Sequence, residues 1–453
     1  MIGIIMFFAS LVMLSFGFPV AFTFAAVSLF FGITAGIIEV GFDNGIMEGL
    51  VDGLDEGLGM FDFMPYRIMS IMQNTILMAV PMFIFMGIIL QKTGLAEKLL
   101  ESMAFLFGEV RGGVAISTVL VGTLLAASTG VVGASVVAMG VISLPVMMKY
   151  KYNLPLATGT ICASGTLGQI IPPSIVLIIL GDVFQVPVGD LFAAAVWPGL
   201  ALVAAYILFI LVVSYFKKDM APAIPKDPSR GSKTKQVIAA LIAIIPSLTL
   251  IIMVLGSIFA GVATPTESSA VGCIGAVLLA VLYRSFSIDM VKEAAFESVK
   301  ITSMVFGILI GATAFSMVFT YTGGDELVEH FMMNLPGDEK FAFILFTMLA
   351  IFILGFFIDF VEISYIIVPI LVPIATNLDI SPVWFAILIA MNLQTSFLTP
   401  PFGFSLFYLK GVVPSSVRTV DIYKGVLPFI LIQVIVLMII VFFPEVFGIN
   451  PKA

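Results

Sequence analysis

Residues 144–173 read LPVMMKYKYNLPLATGTICASGTLGQIIPP, and residues 368–401 read VPILVPIATNLDISPVWFAILIAMNLQTSFLTPP. Both are mostly apolar, and both end in Ser, Thr or Gln oxygens followed by a proline pair. A proline has no amide hydrogen and its ring clashes with the preceding turn, so two in succession break a helix. The stretches are copies in register. Pro145 matches Pro373 and Pro172-Pro173 matches Pro400-Pro401, because 145 + 228 = 373 and 172 + 228 = 400. Working outward, QKTGLAEKLLESM (91–103) pairs with TYTGGDELVEHFM (320–332), and GFPVAFTFAAV (17–27) pairs loosely with GVATPTESSAV (261–271). Landmarks in one order on either side of a basic, proline-rich linker, 217–235, predict an internal repeat.

Composition sets the solvent. Apolar residues make up 60% of the 453 and charged residues only 11%, against about 25% charged in a soluble domain. Mean hydropathy is +1.19. Long charge-free runs, among them 112–148, 236–266 and 380–409, match or exceed the roughly 20 residues that span a hydrocarbon core. The N-terminus has no basic n-region, and its apolar stretch continues past Phe30, so it reads as a true span. The expected class is an all-α polytopic membrane protein lying in the lipid bilayer.

Spans are predicted at 2–17, 20–38, 72–92, 154–182 and 191–216, and again at 236–258, 263–283, 301–321, 383–409 and 425–444, with amphipathic arms at 95–108 and 324–335. Segments 112–148 and 341–376 are too long for one crossing at 1.5 Å per residue. Each reads as a re-entrant hairpin whose tip is buried in protein or water. That choice gathers Arg111, Lys149, Lys151 and the linker 217–235 on one face, cytoplasmic by the positive-inside rule. Each half then crosses an odd number of times, which makes the repeats inverted and both termini external, and so periplasmic. The expected divisions are 1–110 and 236–338 (scaffold helices and arm), 111–190 and 339–412 (hairpin and broken helix), 191–235 (span and linker) and 413–453 (last span).

The loop expected at 39–62 carries seven acidic residues and no basic one. It reads as external, either simply solvated or a docking surface for a soluble partner. Its spacing is not that of an EF-hand. Cys162 and Cys273 lie in apolar segments and read as small buried hydrophobes, and His330 has no ligand set around it. No phosphate-binding loop and no hydrolase constellation is present, which leaves no known enzyme chemistry and no ATPase. A net charge of −8 gives no reason to expect nucleic acid.

The chemistry is expected at the two breaks and the two hairpin tips. Freed carbonyls beside hydroxyls suit Na⁺, and half-helix N-termini suit a carboxylate. The tips are 128–135 and 355–362. Asp359 and Glu362 sit in the second, and an acid inside a membrane is costly and usually functional. They are expected to hold a coupling ion, a substrate hydroxyl or a proton, or to pair structurally. Glu267 is a third embedded acid, with a helix-terminal role as the competing reading.

At these residues the chain resembles one family. GTLGQIIPPSIVLIILGD (165–182), GVATPTESSAVG (261–272), LTPPFGFSLFYLKG (398–411), AVPMFIFMG (79–87) and RGGVAIS (111–117) resemble signature blocks of the large (M, DctM-like) membrane subunit of tripartite ATP-independent periplasmic (TRAP) transporters. The resemblance implies the fold of the ion transporter superfamily, with two hairpins and two broken helices moving as an elevator in a bacterial inner membrane. It implies Na⁺-driven uptake of an organic acid, with no other cofactor. Two partners are implied, a small four-helix (Q-type) membrane subunit and a periplasmic solute-binding (P-type) protein. By analogy one Na⁺ site would use Ser128, Ser135, Gly165, Thr166 and Pro172, and the other Gly355, Gln394, Thr395 and Thr399. Substrate contacts would fall on Asp359, Glu362, Gln169 and Ser396. The form GTLGQIIPPS resembles a subgroup associated with 2-oxo acids and lactate-like acids. The competing classes are a stand-alone Na⁺/dicarboxylate symporter, a membrane-embedded enzyme using Asp359 and Glu362, and a non-transporting scaffold.

Overall fold

The computed structural model of the protein describes residues 1–41, 46–224, 233–401 and 403–452. All regular structure among the described residues is helical. Eight of these helices are long and apolar enough to cross a membrane, and the bent pair Ala79–Lys92 and Leu95–Ala104 makes a ninth. Pro265–Leu282 shows the pattern that lipid demands. Ser268, Ser269, Gly272, Ala276 and Ala280 are buried, while Ile274, Leu278 and Leu282 are exposed. Small residues inward and large apolar residues outward is the reverse of a water-soluble helix. It lets helices approach closely where lipid supplies no hydrophobic drive.

The helix bounds carry the repeat. Adding 228 to Val132–Lys149 gives 360–377, the bounds of Phe360–Asn377. Adding 228 to 184 gives 412, where Ile175–Phe184 and Phe404–Val412 end. Adding 229 to 92 gives 321, where Ala79–Lys92 and Ile288–Tyr321 end. Lys151 and Asp379, again 228 apart, are both left-handed at φ 58° and 53°.

The chain forms two compact units. One comprises Met1–Leu77 and Lys300–Pro382 with the last two residues. In it Phe24 and Phe315 meet edge to face at 5.2 Å, and Gly311 lies against the backbone of Ala21. The acidic stretch expected to be a loop is a helix here, Ile46–Gly59, followed by Met64–Met72. Asp43 lies outside the described residues. The physical reason is a glycine stripe. Gly49, Gly53 and Gly57 recur every fourth residue and are the buried face of this helix. A Cβ on Gly53 would stand 2.5 Å from Ile37 Cα, and one on Gly57 would stand 2.6 Å from Ile33 Cα. The stripe lies flush on Val20–Val40, and this contact outweighs the poor helix propensity of glycine.

The same unit holds the second hairpin, Glu339–Leu354 and Phe360–Asn377. Its two ends meet. Lys340 Nζ donates to the Asp379 carbonyl at 2.7 Å and lies 3.6 Å from its carboxylate. The chain leaves where it entered, as expected of a re-entrant element. The surrounding charges are mostly acidic, with Asn377 donating to Glu329 at 3.1 Å.

The other unit, Met78–Val299 and Val383–Pro451, holds the first hairpin and both broken helices. The first hairpin is Gly113–Thr129 and Val132–Lys149, turning at Gly130 with φ +61°. Its base is also closed. The amide of Val114 donates to the Tyr152 hydroxyl at 3.2 Å. Burial pushes the Tyr152 phenol up to about 12, so it stays a neutral acceptor at physiological pH. Gly112 N–H donates to Ala221 O at 3.0 Å and Asn153 N–H to Met220 O at 2.9 Å. These bonds bring Arg111, Lys149, Lys151, Lys217 and Lys218 to one end of the unit, which a single crossing by 112–148 could not do. The linker residues 225–232 lie outside the described residues. Elsewhere Gly159 and Gly425 touch backbone to backbone, where the last span, Thr419–Phe442, crosses the first broken helix.

Two predicted bounds shift most. The span expected at 72–92 is helical only from Ala79, because Asn74 Oδ1 accepts from the amides of Ile76 and Leu77 and holds a turn there. The span expected at 301–321 starts at Ile288, with a charged lead containing Asp289, Lys292, Glu293, Glu297 and Lys300.

Candidate functional site

The first broken helix starts on Asn153, whose side chain accepts from Leu156 N–H at 3.2 Å. It runs over Leu154–Thr166, tightens to one 3₁₀ turn at Leu167–Gln169, stops, and resumes as Ile175–Phe184. Pro172 and Pro173 cannot donate to the carbonyls four residues back, those of Gly168 and Gln169. Ser174 repairs one of these losses. Its hydroxyl donates to Gln169 O at 2.6 Å.

The first hairpin flanks this break. A Cβ on Gly165 would stand 3.1 Å from Val136 Cα, and one on Gly168 would stand 3.0 Å from Ala126 O. Gly130 at the tip lies against Ile175, at 3.2 Å by the same measure. The structure therefore brings Ser135, Gly165, Thr166 and Gln169 into one buried region, with the side chains of Ser135, Thr166 and Gln169 at most 1% exposed. Ser135 Oγ lies 2.8 Å from Thr129 Oγ1. Thr166 Oγ1 donates back to Ala163 O at 3.0 Å, which leaves its oxygen lone pairs free to accept. The Gln169 amide is buried with neither its oxygen nor its nitrogen hydrogen-bonded. The Ser128 side chain lies outside the described residues.

The second break repeats the device. Pro382–Leu398 stops before Pro400-Pro401 and the chain resumes at Phe404. The Ser405 hydroxyl donates to Phe397 O at 2.8 Å. Phe397 is the repeat partner of Gln169, since 169 + 228 = 397. In both repeats a serine side chain thus replaces the amide lost at the same carbonyl. Thr399 Oγ1 donates to Thr395 O at 2.7 Å, Thr395 Oγ1 to Met391 O at 2.9 Å and Ser396 Oγ to Leu393 O at 2.9 Å. These hydroxyls too keep accepting capacity. The Gln394 side chain is buried as well. It faces Tyr206 of Val188–Phe216, and sequence reasoning gave no sign of that neighbour.

The second tip belongs to the other unit, and with it Gly355, Asp359 and Glu362. Asp359 Oδ1 accepts from Phe360 N–H at 2.7 Å and so caps the helix that follows. Glu362 is 1% exposed, and its Oε2 has no hydrogen-bond partner. A π-helical turn follows immediately at Ile363–Ile367, a distortion that is frequent at functional sites. Glu267 is a helix cap. Its Oε2 accepts from the amide and hydroxyl of Thr264 at 2.8 and 2.9 Å in a reciprocal capping box.

Comparison with known proteins agrees with this architecture. The solved Alcanivorax borkumensis YdaH transporter, described as having an unusual topology, superposes with a TM-score of 0.58 over 86% of this chain and 89% of its own, at 13% identity. That likeness concerns the fold alone. The C4-dicarboxylate TRAP transporter large permease protein DctM of Pseudomonas aeruginosa is 30% identical over 402 residues, covering 87% of this chain and 92% of that protein. The sialic acid TRAP transporter large permease protein SiaM of Vibrio cholerae is 28% identical over 432 residues, 95% and 93% of the two chains. The family described as tripartite ATP-independent periplasmic transporter, DctM component, matches residues 5–446. With hairpins, breaks and that match spanning nearly its whole length, the chain belongs to the DctM family, the large permease subunits of TRAP transporters.

Proposed function

We propose that this subunit imports an organic acid across a bacterial inner membrane, driven by Na⁺. The acid is delivered by a periplasmic binding protein, and the subunit works beside a small four-helix membrane subunit. The relatives named above carry a C4-dicarboxylate and sialic acid, and a carboxylate is what those cargoes share. The resemblance of GTLGQIIPPS (165–174) to a subgroup associated with 2-oxo and lactate-like acids favours a small acid of that kind. The observation that carries the ion coupling is the matched repair of the two breaks. In each, a serine occupies one freed carbonyl, and threonine hydroxyls with spare lone pairs stand beside it in a buried, neutral setting. A small hard cation is the ligand such oxygens suit.

In this reading Ser128, Ser135, Gly165, Thr166 and Pro172 surround one Na⁺, and Thr395 and Thr399 contribute to the other. Gln169 and Ser396 meet the substrate at the breaks. Asp359 and Glu362 offer acceptors to a substrate hydroxyl or to a coupling cation, since two acids at one tip would repel the substrate's own carboxylate. Two Na⁺ carrying a monovalent anion move one net positive charge inward. At 100 mV that is about 2.3 kcal/mol, enough for roughly 50-fold accumulation before any Na⁺ gradient.

The test is uptake into proteoliposomes with the cognate small subunit and binding protein, over a panel of organic acids, with an inward Na⁺ or K⁺ gradient. Uptake that needs Na⁺ is expected. Equal uptake with either cation ends the ion assignment. Thr166→Val is expected to raise the Na⁺ concentration for half-maximal uptake more than it lowers protein abundance.

A further inference from the structure

Three polar side chains are sealed in the interior of one unit, far apart in sequence. Tyr206 is on Val188–Phe216, Gln394 on Pro382–Leu398 and Gln433 on Thr419–Phe442. All three are 0% exposed. The Tyr206 phenol faces the amides of both Gln394 and Gln433. Its ring is held edge to face on Phe429, at 5.1 Å, one turn before Gln433 on the same helix. In the geometry described, neither the phenol nor any of the four amide atoms has a hydrogen-bond partner. Five buried polar atoms without partners are costly, and most costly where no water competes. Small rotations of groups that already face one another would remove that cost by letting them bond. A phenol, which can donate and accept, and two amides form a closed set.

The place of Gln394 gives this cluster a consequence. It is the repeat partner of Thr166, since 166 + 228 = 394. It directly precedes Thr395, whose carbonyl accepts from Thr399 across the start of the second break. The other two members lie on unbroken spans. We propose that Tyr206 and Gln433 are positioning residues for the second break. They act through Gln394, whose amide they hold away from the ion path and whose backbone they fix, so that the oxygens of Thr395 and Thr399 stay in place. The proposal rests on the Na⁺-coupled reading above.

The test is Na⁺-dependent uptake by the complete transporter in proteoliposomes, with Tyr206→Phe, Gln433→Leu, Gln394→Leu and the double variant Tyr206→Phe/Gln394→Leu. Tyr206→Phe deletes one oxygen and keeps the ring on Phe429. It and Gln433→Leu are expected to raise the half-saturating Na⁺ concentration about three- to ten-fold. Half-saturation by substrate at saturating Na⁺ should not move. The double variant should be no worse than Gln394→Leu alone. Exposed Tyr215→Phe, on the same helix, serves as control and should behave as wild type. Melting midpoints of the purified proteins provide an independent cycle, in which the same non-additivity is expected. Additive effects in that cycle overturn the triad. Coupled melting with an unmoved Na⁺ requirement overturns the positioning role. Wild-type uptake indifferent to Na⁺ removes the reading beneath it and the positioning role with it, a result distinct from the other two.

Discussion

Ser174 and Ser405 differ in distance from their proline pairs, yet each reaches the same repeat carbonyl. Neither hydroxyl has a replacement nearby in the chain, because the missing amides belong to prolines. Ser174→Ala should leave the Gln169 carbonyl buried and unsatisfied, at a cost of about 1–3 kcal/mol, read as a lower melting midpoint. Ser174→Thr, which keeps the hydroxyl, should recover part of that loss. The breaks themselves were legible in the sequence, since a proline pair loses its donors whatever surrounds it. The serine repairs were not, because the two serines sit at different offsets and only the fold shows that they serve one carbonyl. The Tyr206–Gln394–Gln433 cluster was equally hidden. Nothing local to Gln394 distinguishes a ligand from a residue turned toward two distant helices.

Among the elements, the acidic helix Ile46–Gly59 is the clearest departure from expectation. Its four acids and several glycines resemble solvated loop, and helix propensity supports that reading. The deciding signal was the four-residue recurrence of Gly49, Gly53 and Gly57, opposite Gly32 and Gly36 on the preceding span. Gly53→Val should therefore unseat this helix. A Cβ there already falls 2.5 Å from the Ile37 backbone. Protease sensitivity between residues 40 and 64 is expected to rise while the rest of the chain stays folded. Unchanged protection would mean that the stripe does not seat the helix. The hairpins, by contrast, followed from length and charge alone, because no straight helix could hold both Arg111 and Lys151 at one end of the unit.

On the scale of the whole molecule, the repeat sets the orientation. The first hairpin's base is basic, with Arg111, Lys149, Lys151, Lys217 and Lys218, and the second's is mostly acidic around Asp379. Applied to these charges, the positive-inside rule gives the expectation of inverted repeats with both termini external. A labelling experiment checks this. Cys162 and Cys273 are the only cysteines and are free, so both can be replaced before single cysteines are introduced. In intact cells a membrane-impermeant thiol reagent should label Glu339→Cys and spare Lys218→Cys. Labelling both from outside would overturn the inverted topology.

Both hairpins are fastened at the root, one by Val114 to Tyr152 and the other by Lys340 to Asp379. A beam clamped at one end bends most at its free end. In the proposed transport cycle, opening a route past the first hairpin would take deflection at Gly130, with its two limbs swinging as one. Cutting the Tyr152 clamp should splay the limbs and blur the timing of that swing without touching any atom that meets the cargo.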